Sequence, residues 1–564
     1  MGKKYLIVGG VAGGASTAAR LRRLSEDDQI IMFEKGPHVS FSNCSLPYYL
    51  SGTVKKIDDL LMMTPEKFIH QYNIEARINN EVINIDRDRK EVEVRDGNNG
   101  STYRESYDKL VLSPGAVPIV PKIPGIEKIR PFTLRNVTDI DQLKKYVDHI
   151  KPTRITVIGG GFIGIECAEN FVTAGYQVSL VEAQTQILTQ FDDEMVQILH
   201  KEMYDQGLDL HIDDKVIGFD TNQVFLESGS RINSEVIVLA IGVRPDTELA
   251  KKAGLTIGKT NGIKVNQNYR TNDVDIYAVG DAIETYNPLT QDCFILALAG
   301  PAQKQARSVA DHIHAIPIRN TGYIGSSVVQ VFNYSAAATG LNESQLAKMN
   351  IEYDYVEIIP KDKVGIMPDA EEVHFKLLFE KPTGRVLGAQ AIGRGDIVKR
   401  IDVIATAIKF RATIQHLRDL ELCYAPPFGT AKDVVNFAGY VASNLLNDNF
   451  QQIKMSQLRS LTENGAYILD VRENNEWDEG HVLNAHHIPL SALRVRMNEI
   501  PQDQPVYIYC RSGQRSYNAV LALQYSGYHN VYNISGGFMG ICFYEYFTDQ
   551  TCNRKPIVSA YNFN

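Results

Sequence analysis

Two cysteines lie in segments whose neighbours could make a thiol reactive. Cys44 lies in the stretch SFSNCSLPYYL, beside an asparagine and just before a Leu-Pro-Tyr-Tyr turn. Cys510 begins the loop CRSGQRS, which follows the apolar run VYIY and precedes a predicted helix. Backbone N–H groups, a helix N-terminus and two arginines all stabilise an anionic sulfur. We therefore predict that Cys510 is a nucleophile whose anionic substrate contacts Arg511 and Arg515. Cys44 is either a small core residue or a reagent.

The remaining cysteines and the overall composition exclude several classes of protein. Five cysteines lie outside any motif, at positions 167, 293, 423, 542 and 552, and the chain has no CxxC pair. This argues against a metal site and a secreted disulfide framework, and it predicts a cytoplasmic protein. The net charge of −9 over 564 residues offers no general basic surface for nucleic acid. We find neither a signal peptide nor an apolar run that would cross a bilayer.

The N-terminal stretch has the pattern of a dinucleotide-binding strand–loop–helix unit. The apolar run YLIV predicts a buried strand, and the glycine-rich loop that follows includes Gly9, Val11, Ala12 and Gly14. Glu34 ends the next apolar run and could accept hydrogen bonds from a ribose diol. Val11 occupies the place of the middle glycine in the strict motif. Alone, the pattern also fits an ordinary tight turn between a strand and a helix.

The same pattern recurs about 150 residues later, in strict register. The second loop contains Gly159, Gly161, Ile163 and Gly164, and Glu182 ends the following apolar run. No arginine or lysine closely follows Glu182. A carboxylate at this position repels a 2′-phosphate, which predicts a preference for NADH over NADPH. Two such units in one chain are much more specific than either one alone.

The stretches SPGAVP and IYAVGD extend this pattern to a family resemblance over residues 1–445. The chain resembles the flavoprotein disulfide reductases, which have two dinucleotide-binding domains. The resemblance implies that the first unit binds FAD and the second NAD(P)H, that Asp281 contacts the ribityl chain, and that Gly115 lies near the flavin. By the same resemblance we assign further cofactor contacts to Asn43, Ser113, Gly242 and Ala299.

The surroundings of Cys44 narrow the resemblance further. Most such enzymes carry a CxxxxC redox pair, but here positions 39 and 49 are Val39 and Tyr49. The segments GGVAGGAS, RLRRL and SFSNCSLPYYLSG resemble coenzyme A disulfide reductases and NADH-dependent CoA-persulfide and polysulfide reductases. In that group one cysteine, here Cys44, alternates between a thiolate and a mixed disulfide with CoA. The resemblance implies that the substrate-binding residues are Arg20, Arg23, Ser40 and Asn43.

Residues 321–445 resemble the dimerisation domain of this family and imply a homodimer. Tyr424 matches a tyrosine that is implied to act near the substrate sulfur across the dimer, although it could equally fill an interface. The family often has a second tyrosine in a Tyr-Tyr-Pro-Gly stretch, where this chain reads GIMPD. This departure favours persulfides over CoA disulfide as substrates.

The C-terminal region resembles a rhodanese domain. The resemblance rests on Asp470-Val-Arg, the Glu-Gly-His481 stretch, the CRSGQRS loop and the later Gly536-Gly537 pair. Four residues separate Cys510 from Arg515. Cysteine phosphatases have five, so the loop is predicted to hold sulfur-transfer intermediates and not phosphate.

Together these patterns predict an α/β chain with two Rossmann-like domains, an α+β dimerisation domain and a C-terminal α/β rhodanese domain. The predicted boundaries are 1–150 and 246–320 for FAD, 151–245 for NAD, 321–445 for dimerisation, 446–456 for a linker and 457–552 for rhodanese. The predicted enzyme uses NADH and FAD to reduce CoA persulfide, polysulfide or CoA disulfide with release of sulfide. Its partners are predicted to be such persulfides, with neither nucleic acid nor membrane.

Two alternatives remain open. One is an NADH oxidase or peroxidase that uses Cys44 as a sulfenate, although its first glycine loop lacks the histidine of the peroxidase pattern. The other is a thiosulfate sulfurtransferase with a redox-sensing flavin module.

Overall fold

The computed structural model describes residues 2–563, and the chain divides into two compact units. The first unit runs up to Gln184 and resumes from Asp213 to Tyr323, and the second comprises Thr185–Ile212 and the chain from Ile324 onward. Within residues 2–563 no helix is long and apolar enough to cross a membrane. No cluster of three or more metal-ligand side chains occurs in the same range.

The first 150 residues alternate strands and helices, as the glycine-loop pattern predicts. The elements are β1 (Lys4–Val8), α1 (Ala12–Leu24), β2 (Gln29–Phe33), α2 (Pro65–Tyr72), β3 (Glu75–Arg77), β4 (Asn80–Asp86), β5 (Glu91–Asp96), β6 (Thr102–Ser106), β7 (Lys109–Leu112), β8 (Ala116–Pro118), β9 (Pro131–Phe132) and α3 (Val137–Ile150).

The next segment repeats the unit and then returns to the first sheet. Its elements are β10 (Arg154–Ile158), α4 (Phe162–Thr173), β11 (Gln177–Val181), α5 (Asp193–Asp205), β12 (Asp209–His211), β13 (Val216–Asp220), β14 (Gln223–Leu226), β15 (Arg231–Asn233), β16 (Val236–Leu239), β17 (Val243–Pro245), α6 (Glu248–Lys252), β18 (Ile276–Ala278), β19 (Thr285–Asn287), β20 (Asp292–Phe294) and α7 (Ala299–Ile313). Of these, α5 and β12 belong to the second unit.

Two parallel sheets form the framework of the first unit. In one the strand order is β18-β7-β1-β2-β3, and in the other β11, β10, β16 and β9 are consecutive neighbours. Tyr5–Val8 are at most 9% exposed, which explains why β1 is one continuous apolar run. Because β9 adds to the edge of the second sheet, that sheet begins before the predicted boundary at residue 151.

The second unit continues with an antiparallel sheet and its helices. The elements are β21 (Ser326–Val331), β22 (Tyr334–Gly340), α8 (Glu343–Lys348), β23 (Tyr353–Ile358), β24 (Val373–Glu380), β25 (Val386–Gly393), α9 (Val398–Lys409), α10 (Ile414–Asp419) and α11 (Val434–Leu446). The strand order is β21-β22-β25-β24-β23, and every residue of β25 is buried.

A parallel sheet with helices ends the chain. The elements are β26 (Gln451–Ile453), α12 (Leu458–Glu463), β27 (Tyr467–Asp470), α13 (Asn474–Asp478), β28 (His486–His487), α14 (Leu490–Arg496), β29 (Val506–Tyr509), α15 (Gln514–Tyr525), β30 (Val531–Ile534) and α16 (Gly537–Thr551). The strand order is β26-β30-β29-β27-β28.

The predicted linker and C-terminal boundary need correction. Within the predicted linker 446–456, β26 pairs with β30 and Met455 is buried, so this stretch is part of the domain and is not a free tether. Beyond the predicted end at residue 552, Ile557 and Val558 are each 4% exposed, and Val558 forms a bridge with Val482. Apolar side chains therefore extend this domain in both directions.

Candidate active sites

The first site forms where four parallel strands end at one edge of a sheet. Gly9 follows β1, Glu34 follows β2, Ser113 follows β7, and Asp281 lies three residues after β18. Strand order reverses on either side of β1, and ligands of such sheets bind at this crevice. Gly9 has φ +93°, and a Cβ there would lie 2.1 Å from the Ser113 carbonyl oxygen. Only glycine therefore fits at this turn.

The loop is held in shape for close approach by a phosphate. A Cβ on Gly14 would lie 1.8 Å from the Gly9 carbonyl oxygen, so α1 packs directly against the loop. Val11 is the N-cap of α1 with φ −101°, which any residue can adopt, and α1 begins at Ala12. Val11 therefore does not need the left-handed φ that favours glycine, and the helix N-terminus remains available to an anion.

The carboxyl groups of this edge match a ligand rich in hydroxyls. The Glu34 carboxylate accepts N–H bonds from Gly10 at 3.0 Å and Gly36 at 2.9 Å, which fix its position. Burial raises the pKa of Asp281 to about 6. Gly115 has φ +73° and open space on its Cβ side.

The start of α7 belongs to the same site. The Gly280 N–H donates to the side chain of Gln305 in α7 at 2.7 Å, which ties the turn before Asp281 to the helix that begins at Ala299. The residues present therefore fit FAD.

The second glycine loop repeats this geometry. Gly159 has φ +113°, and a Cβ on Gly164 would lie 1.8 Å from the Gly159 carbonyl oxygen. The Glu182 carboxylate accepts N–H bonds from Gly160 at 2.6 Å and Gln184 at 2.8 Å. This is the same arrangement as at Glu34, and it fits a second dinucleotide.

The other predicted residues of this second site leave room for a ligand. A Cβ on Gly161 would meet nothing within 4 Å, and Ile163 in α4 is 37% exposed. Gly242 has φ +111°, and its carbonyl accepts the N–H of Ile119 at 3.0 Å.

The segment that carries Cys44 is attached to the first glycine loop. Ser40 adopts φ +51°, and its N–H donates to the Gly10 carbonyl at 2.8 Å. Two short 3₁₀ helices follow, Asn43–Ser45 and Pro47–Tyr49. Asn43 and Cys44 are exposed. The structure thus places the predicted reagent thiol beside the predicted FAD loop.

The protein groups around Cys44 favour its thiol form. Cys44 is exposed as a residue, but partial burial of its thiol, together with the Glu166 charge and the Asp281 charge, raises the pKa of Cys44. Burial also raises the pKa of Glu166 itself to about 7. Glu166 lies in α4, more than a hundred residues from Cys44, and sequence reasoning did not find it.

The two predicted substrate arginines differ in the structure. Arg20 forms a salt bridge with Asp311 of α7 at 2.6 Å, whereas Arg23 on the same helix is exposed. Arg23 is therefore the more available partner for a phosphate. Between the two, Arg22 is buried and donates to five backbone carbonyls at the helix end.

Tyr424 lies in the second unit, in the stretch between α10 and α11. It is 49% exposed, with Phe428 at 70% and Ile366 at 86%. The N–H of Val364 donates to the Gly429 carbonyl at 3.2 Å and joins the two segments that carry these side chains. The Tyr424 side chain is thus accessible to a partner subunit.

Cys510 lies at the start of a closed loop between β29 and α15. The Gly513 N–H donates to the sulfur at 3.2 Å and the Ser516 hydroxyl at 3.5 Å. Gly537 has φ +58°, and a Cβ there would lie 2.6 Å from the Cys510 carbonyl oxygen. The sulfur therefore faces donors at the start of α15, as predicted for an anionic sulfur.

Both loop arginines are paired with carboxylates that the sequence did not reveal. Arg515 makes two 2.6 Å hydrogen bonds with Glu476, and this contact lowers the pKa of Glu476. Arg511 forms a salt bridge at 3.0 Å with Glu372, which immediately precedes β24. Neither ion pair could be predicted from the sequence, because Glu476 lies 39 residues from Arg515 and Glu372 lies 139 residues from Arg511.

Comparisons with known families match almost the whole chain. The pyridine nucleotide-disulphide oxidoreductase family matches residues 3–307, and its dimerisation domain matches residues 326–434. A rhodanese-like domain matches residues 454–542. These matches confirm the predicted fold class with its dimerisation and rhodanese domains.

Individual relatives agree with the family matches. A coenzyme A disulfide reductase of Staphylococcus epidermidis is 32% identical over 440 residues, which are 78% of this chain and 99% of that protein. The reduced CoADR-RHD of Bacillus anthracis is 44% identical with a TM-score of 0.93, covering 98% of this chain and 99% of that one. A NAD-dependent persulfide reductase from A. fulgidus is 33% identical with a TM-score of 0.91, covering 95% and 99%.

The predicted resemblance to CoA disulfide and persulfide reductases is therefore confirmed, and it implies FAD and a pyridine nucleotide as cofactors. The chain belongs to the pyridine nucleotide-disulphide oxidoreductase family and is an oxidoreductase with a rhodanese domain.

Proposed function

We propose that this enzyme takes electrons from NADH and reduces CoA persulfide, or related small persulfides and polysulfide, at Cys44. The observation that carries the proposal is a single cysteine attached through Ser40 to the first glycine loop. Positions 39 and 49 hold Val39 and Tyr49, so no second cysteine lies five residues away to form an internal disulfide. The similarity to a CoA disulfide reductase and to a persulfide reductase supports this substrate class.

The reaction at Cys44 balances as a thiol exchange followed by a two-electron reduction. The Cys44 thiolate attacks the R-bearing sulfur of R–S–SH, forming Cys44–S–S–R and releasing HS⁻. Two electrons and a proton then regenerate the Cys44 thiolate and release R–SH. FAD, when bound, passes these electrons from NADH to the disulfide. Gly9, Glu34 and Asp281 would hold FAD.

The second glycine loop would hold NADH, with Glu182 on the ribose. Arg23, Ser40 and Asn43 would contact the CoA portion of the substrate. Arg20 would contact the CoA portion only if its salt bridge with Asp311 broke.

We further propose that the rhodanese domain transfers sulfane sulfur. In the exchange Cys510–S⁻ + R–S–S⁻ → Cys510–S–S⁻ + R–S⁻, the loop N–H groups stabilise the persulfide anion. The dimerisation-domain match supports a homodimer, in which the exposed Tyr424 would reach the partner's substrate.

The test compares NADH oxidation and sulfide release with CoA persulfide, CoA disulfide, polysulfide and hydrogen peroxide. We expect CoA persulfide to give the highest kcat/KM. Cys44→Ser should retain yellow FAD and bind NADH, and it should lose persulfide turnover because the mixed disulfide does not form. Near-normal persulfide turnover in Cys44→Ser would overturn the proposal.

The same comparison, with oxygen and thiosulfate added as substrates, tests the two alternatives. Preferential turnover of oxygen or peroxide would establish an oxidase or peroxidase. Thiosulfate sulfurtransferase activity without any substrate-dependent NADH oxidation would establish a sulfurtransferase with a redox-sensing flavin module.

A further inference from the structure

The loop around Cys510 is bordered by a carboxylate from another domain. Arg515 is held within the rhodanese domain by Glu476 of α13. Arg511, the residue next to Cys510, is held by Glu372 of the dimerisation domain at 3.0 Å. All these residues belong to the second unit. One of the two loop arginines is therefore paired with a carboxylate that an isolated rhodanese domain would lack.

Backbone hydrogen bonds fix the position of Arg511 beside Cys510. Its carbonyl accepts the N–H of Met539 at 3.0 Å, and the preceding Cys510 carbonyl accepts the N–H of Phe538 at 2.7 Å. The Arg511 side chain is 34% exposed and that of Glu372 is 26% exposed. An incoming anion and Glu372 therefore compete for one accessible guanidinium.

The cleft beside this pair carries more negative than positive groups. Its volume is about 750 Å³, and Glu371, Glu372 and Glu479 line it together with the cations Lys201 and Arg394. His374 also lines the cleft, and burial lowers its pKa to about 4, so it adds no positive charge at neutral pH. Arg511 offsets the charge of Glu372, so selection against an anion at Cys510 rests on this pairing and not on the charge of the cleft as a whole.

We propose that Glu372 is a specificity-determining residue of the Cys510 site, which disfavours dianionic sulfur donors such as thiosulfate. By pairing with Arg511 it withdraws the guanidinium that a sulfonate group needs. An alkyl persulfide carries no sulfonate, so its sulfur transfer to Cys510 is less affected. This inference rests on the proposed sulfur-transfer function of Cys510.

The first test measures thiosulfate kinetics in the full-length enzyme. In this assay Cys510–S⁻ takes sulfur from thiosulfate and releases sulfite, and cyanide then removes the sulfur as thiocyanate. Glu372→Gln should lower the KM for thiosulfate about threefold with little change in kcat, as expected for one partly exposed charge. The control Glu371→Gln removes a neighbouring carboxylate that lines the same cleft. Its KM for thiosulfate should stay within about 1.5-fold of the wild-type value, which is on the order of assay precision.

Arg511 provides a second check. Arg511→Gln should raise the KM for thiosulfate, and adding Glu372→Gln to it should bring no further change. An unchanged or higher KM in Glu372→Gln alone, or an equal effect of Glu371→Gln, would overturn the proposal.

A second readout does not depend on turnover. Iodoacetate and iodoacetamide are similar in size, but only iodoacetate is anionic, so the ratio of their rates at Cys510 reports the local charge. We expect Glu372→Gln to raise this ratio about threefold, measured by peptide mapping of Cys510. If wild type and Glu372→Gln both lack sulfurtransferase activity while the ratio rises, the proposed function of Cys510 fails and the role of Glu372 stands. An unchanged ratio would overturn the role of Glu372.

Discussion

Cys44 is chemically unusual because burial and two neighbouring carboxyl groups oppose the thiolate that the proposed reaction needs. Burial raises its pKa, and so do the negative charges of Glu166 and Asp281. Glu166 keeps its proton up to about pH 7, because burial raises its own pKa to that value. The Glu166 part of the charge that opposes the Cys44 thiolate therefore appears only as the pH rises through 7.

This coupling gives a prediction for Glu166→Gln. Above pH 7 the wild-type enzyme carries a carboxylate near Cys44 and the variant does not, so the variant should have the lower Cys44 pKa. After reduction and removal of the reductant, Cys44 should react with iodoacetamide about twofold faster or more in the variant at pH 8.5. At pH 6 the two rates should agree, because Glu166 is then neutral in the wild type. The same rate ratio at both pH values would contradict this account.

Glu169 provides the matched control for this measurement. It lies on the same helix and raises the pKa of Tyr48, but it is not among the groups that raise that of Cys44. Glu169→Gln should therefore leave the alkylation rate of Cys44 unchanged at both pH values.

Glu182 gives a second prediction at this scale. Two backbone N–H groups fix its carboxylate at the end of β11, where a nucleotide ribose would lie. A fixed negative charge repels a 2′-phosphate, so we expect a higher kcat/KM with NADH than with NADPH. Glu182→Ala should lower the ratio of kcat/KM with NADH to kcat/KM with NADPH by about tenfold. A wild-type preference for NADPH would show that Glu182 does not face the ribose.

At the scale of elements, the strand–loop–helix units could be predicted because their signals are local. The run YLIV became β1, the loop after it begins with a left-handed glycine, and Glu34 follows β2 as predicted. The partners of the loop arginines could not be predicted in this way. Glu372 lies 139 residues from Arg511, and nothing in its own neighbourhood marks it as a partner.

The predicted linker is a second case in which local sequence does not reveal a distant partner. Residues 446–456 look polar, yet β26 within them pairs with β30, about 80 residues later in the chain. A short strand at a sheet edge needs little apolar sequence, because its neighbour supplies the hydrogen bonds.

The turn between β30 and α16 gives a prediction for one element. Gly537 has φ +58°, and a Cβ there would lie 2.6 Å from the Cys510 carbonyl oxygen. Gly537→Ala should push the Cys510 loop out of place and lower sulfurtransferase activity at least tenfold, which corresponds to about 1.4 kcal/mol. NADH-dependent reduction of free CoA persulfide should persist, since Cys44 lies in the other unit.

Gly465 is the control for Gly537. It also has a left-handed φ, +71°, but a Cβ there would meet nothing within 4 Å. Gly465→Ala should cost about 1 kcal/mol of stability and leave the sulfurtransferase activity intact. Equal losses of activity in both variants would show that backbone strain alone, and not the contact with the Cys510 loop, is responsible.

At the scale of the whole molecule, a buried ion cluster joins the parts of the second unit. Lys376 of β24 is fully buried, and its ammonium lies 3.0 Å from Asp192, 2.9 Å from Glu194, 3.0 Å from Glu343 and 3.6 Å from Glu357. These carboxylates come from α5, its N-cap, the first turn of α8, and β23.

The rhodanese domain takes part in the same cluster. Lys454 forms salt bridges with Glu343 and with Glu194, the latter at 3.5 Å. The Ser535 hydroxyl donates to Glu357 at 2.8 Å, and the ring of Tyr355 lies beneath both ammonium groups. Salt bridges and a hydrogen bond between polar groups therefore join this domain to the dimerisation domain.

The cluster holds two cations against four carboxylates, and protonation of Glu357 reduces this imbalance. Burial raises the pKa of Glu357 to about 8, while the ammonium groups of Lys376 and Lys454 outweigh burial and lower that of Glu194 to about 2. At neutral pH Glu357 is thus the carboxyl group that keeps its proton. The stability contributed by Glu194 is lost progressively as the pH falls from 4.5, the value for the unfolded chain, to about 2, below physiological values.

Glu357 should therefore make the stability of the enzyme depend on pH between its unfolded and folded pKa values. The unfolded chain releases this proton near pH 4.5 and the folded chain near pH 8, so over this range the unfolded state binds fewer protons and stability falls as the pH rises. Glu357→Gln removes this titration, so its stability relative to the wild type should increase by about 1 kcal/mol per pH unit from pH 5.5 to 7.5 and level off above pH 8. The measurement is the Tm of the full-length protein at each pH. The control is Glu352→Gln, an exposed position just before β23, whose Tm should run parallel to that of the wild type. Parallel Tm profiles for Glu357→Gln and the wild type would show that Glu357 is already ionised in the folded protein.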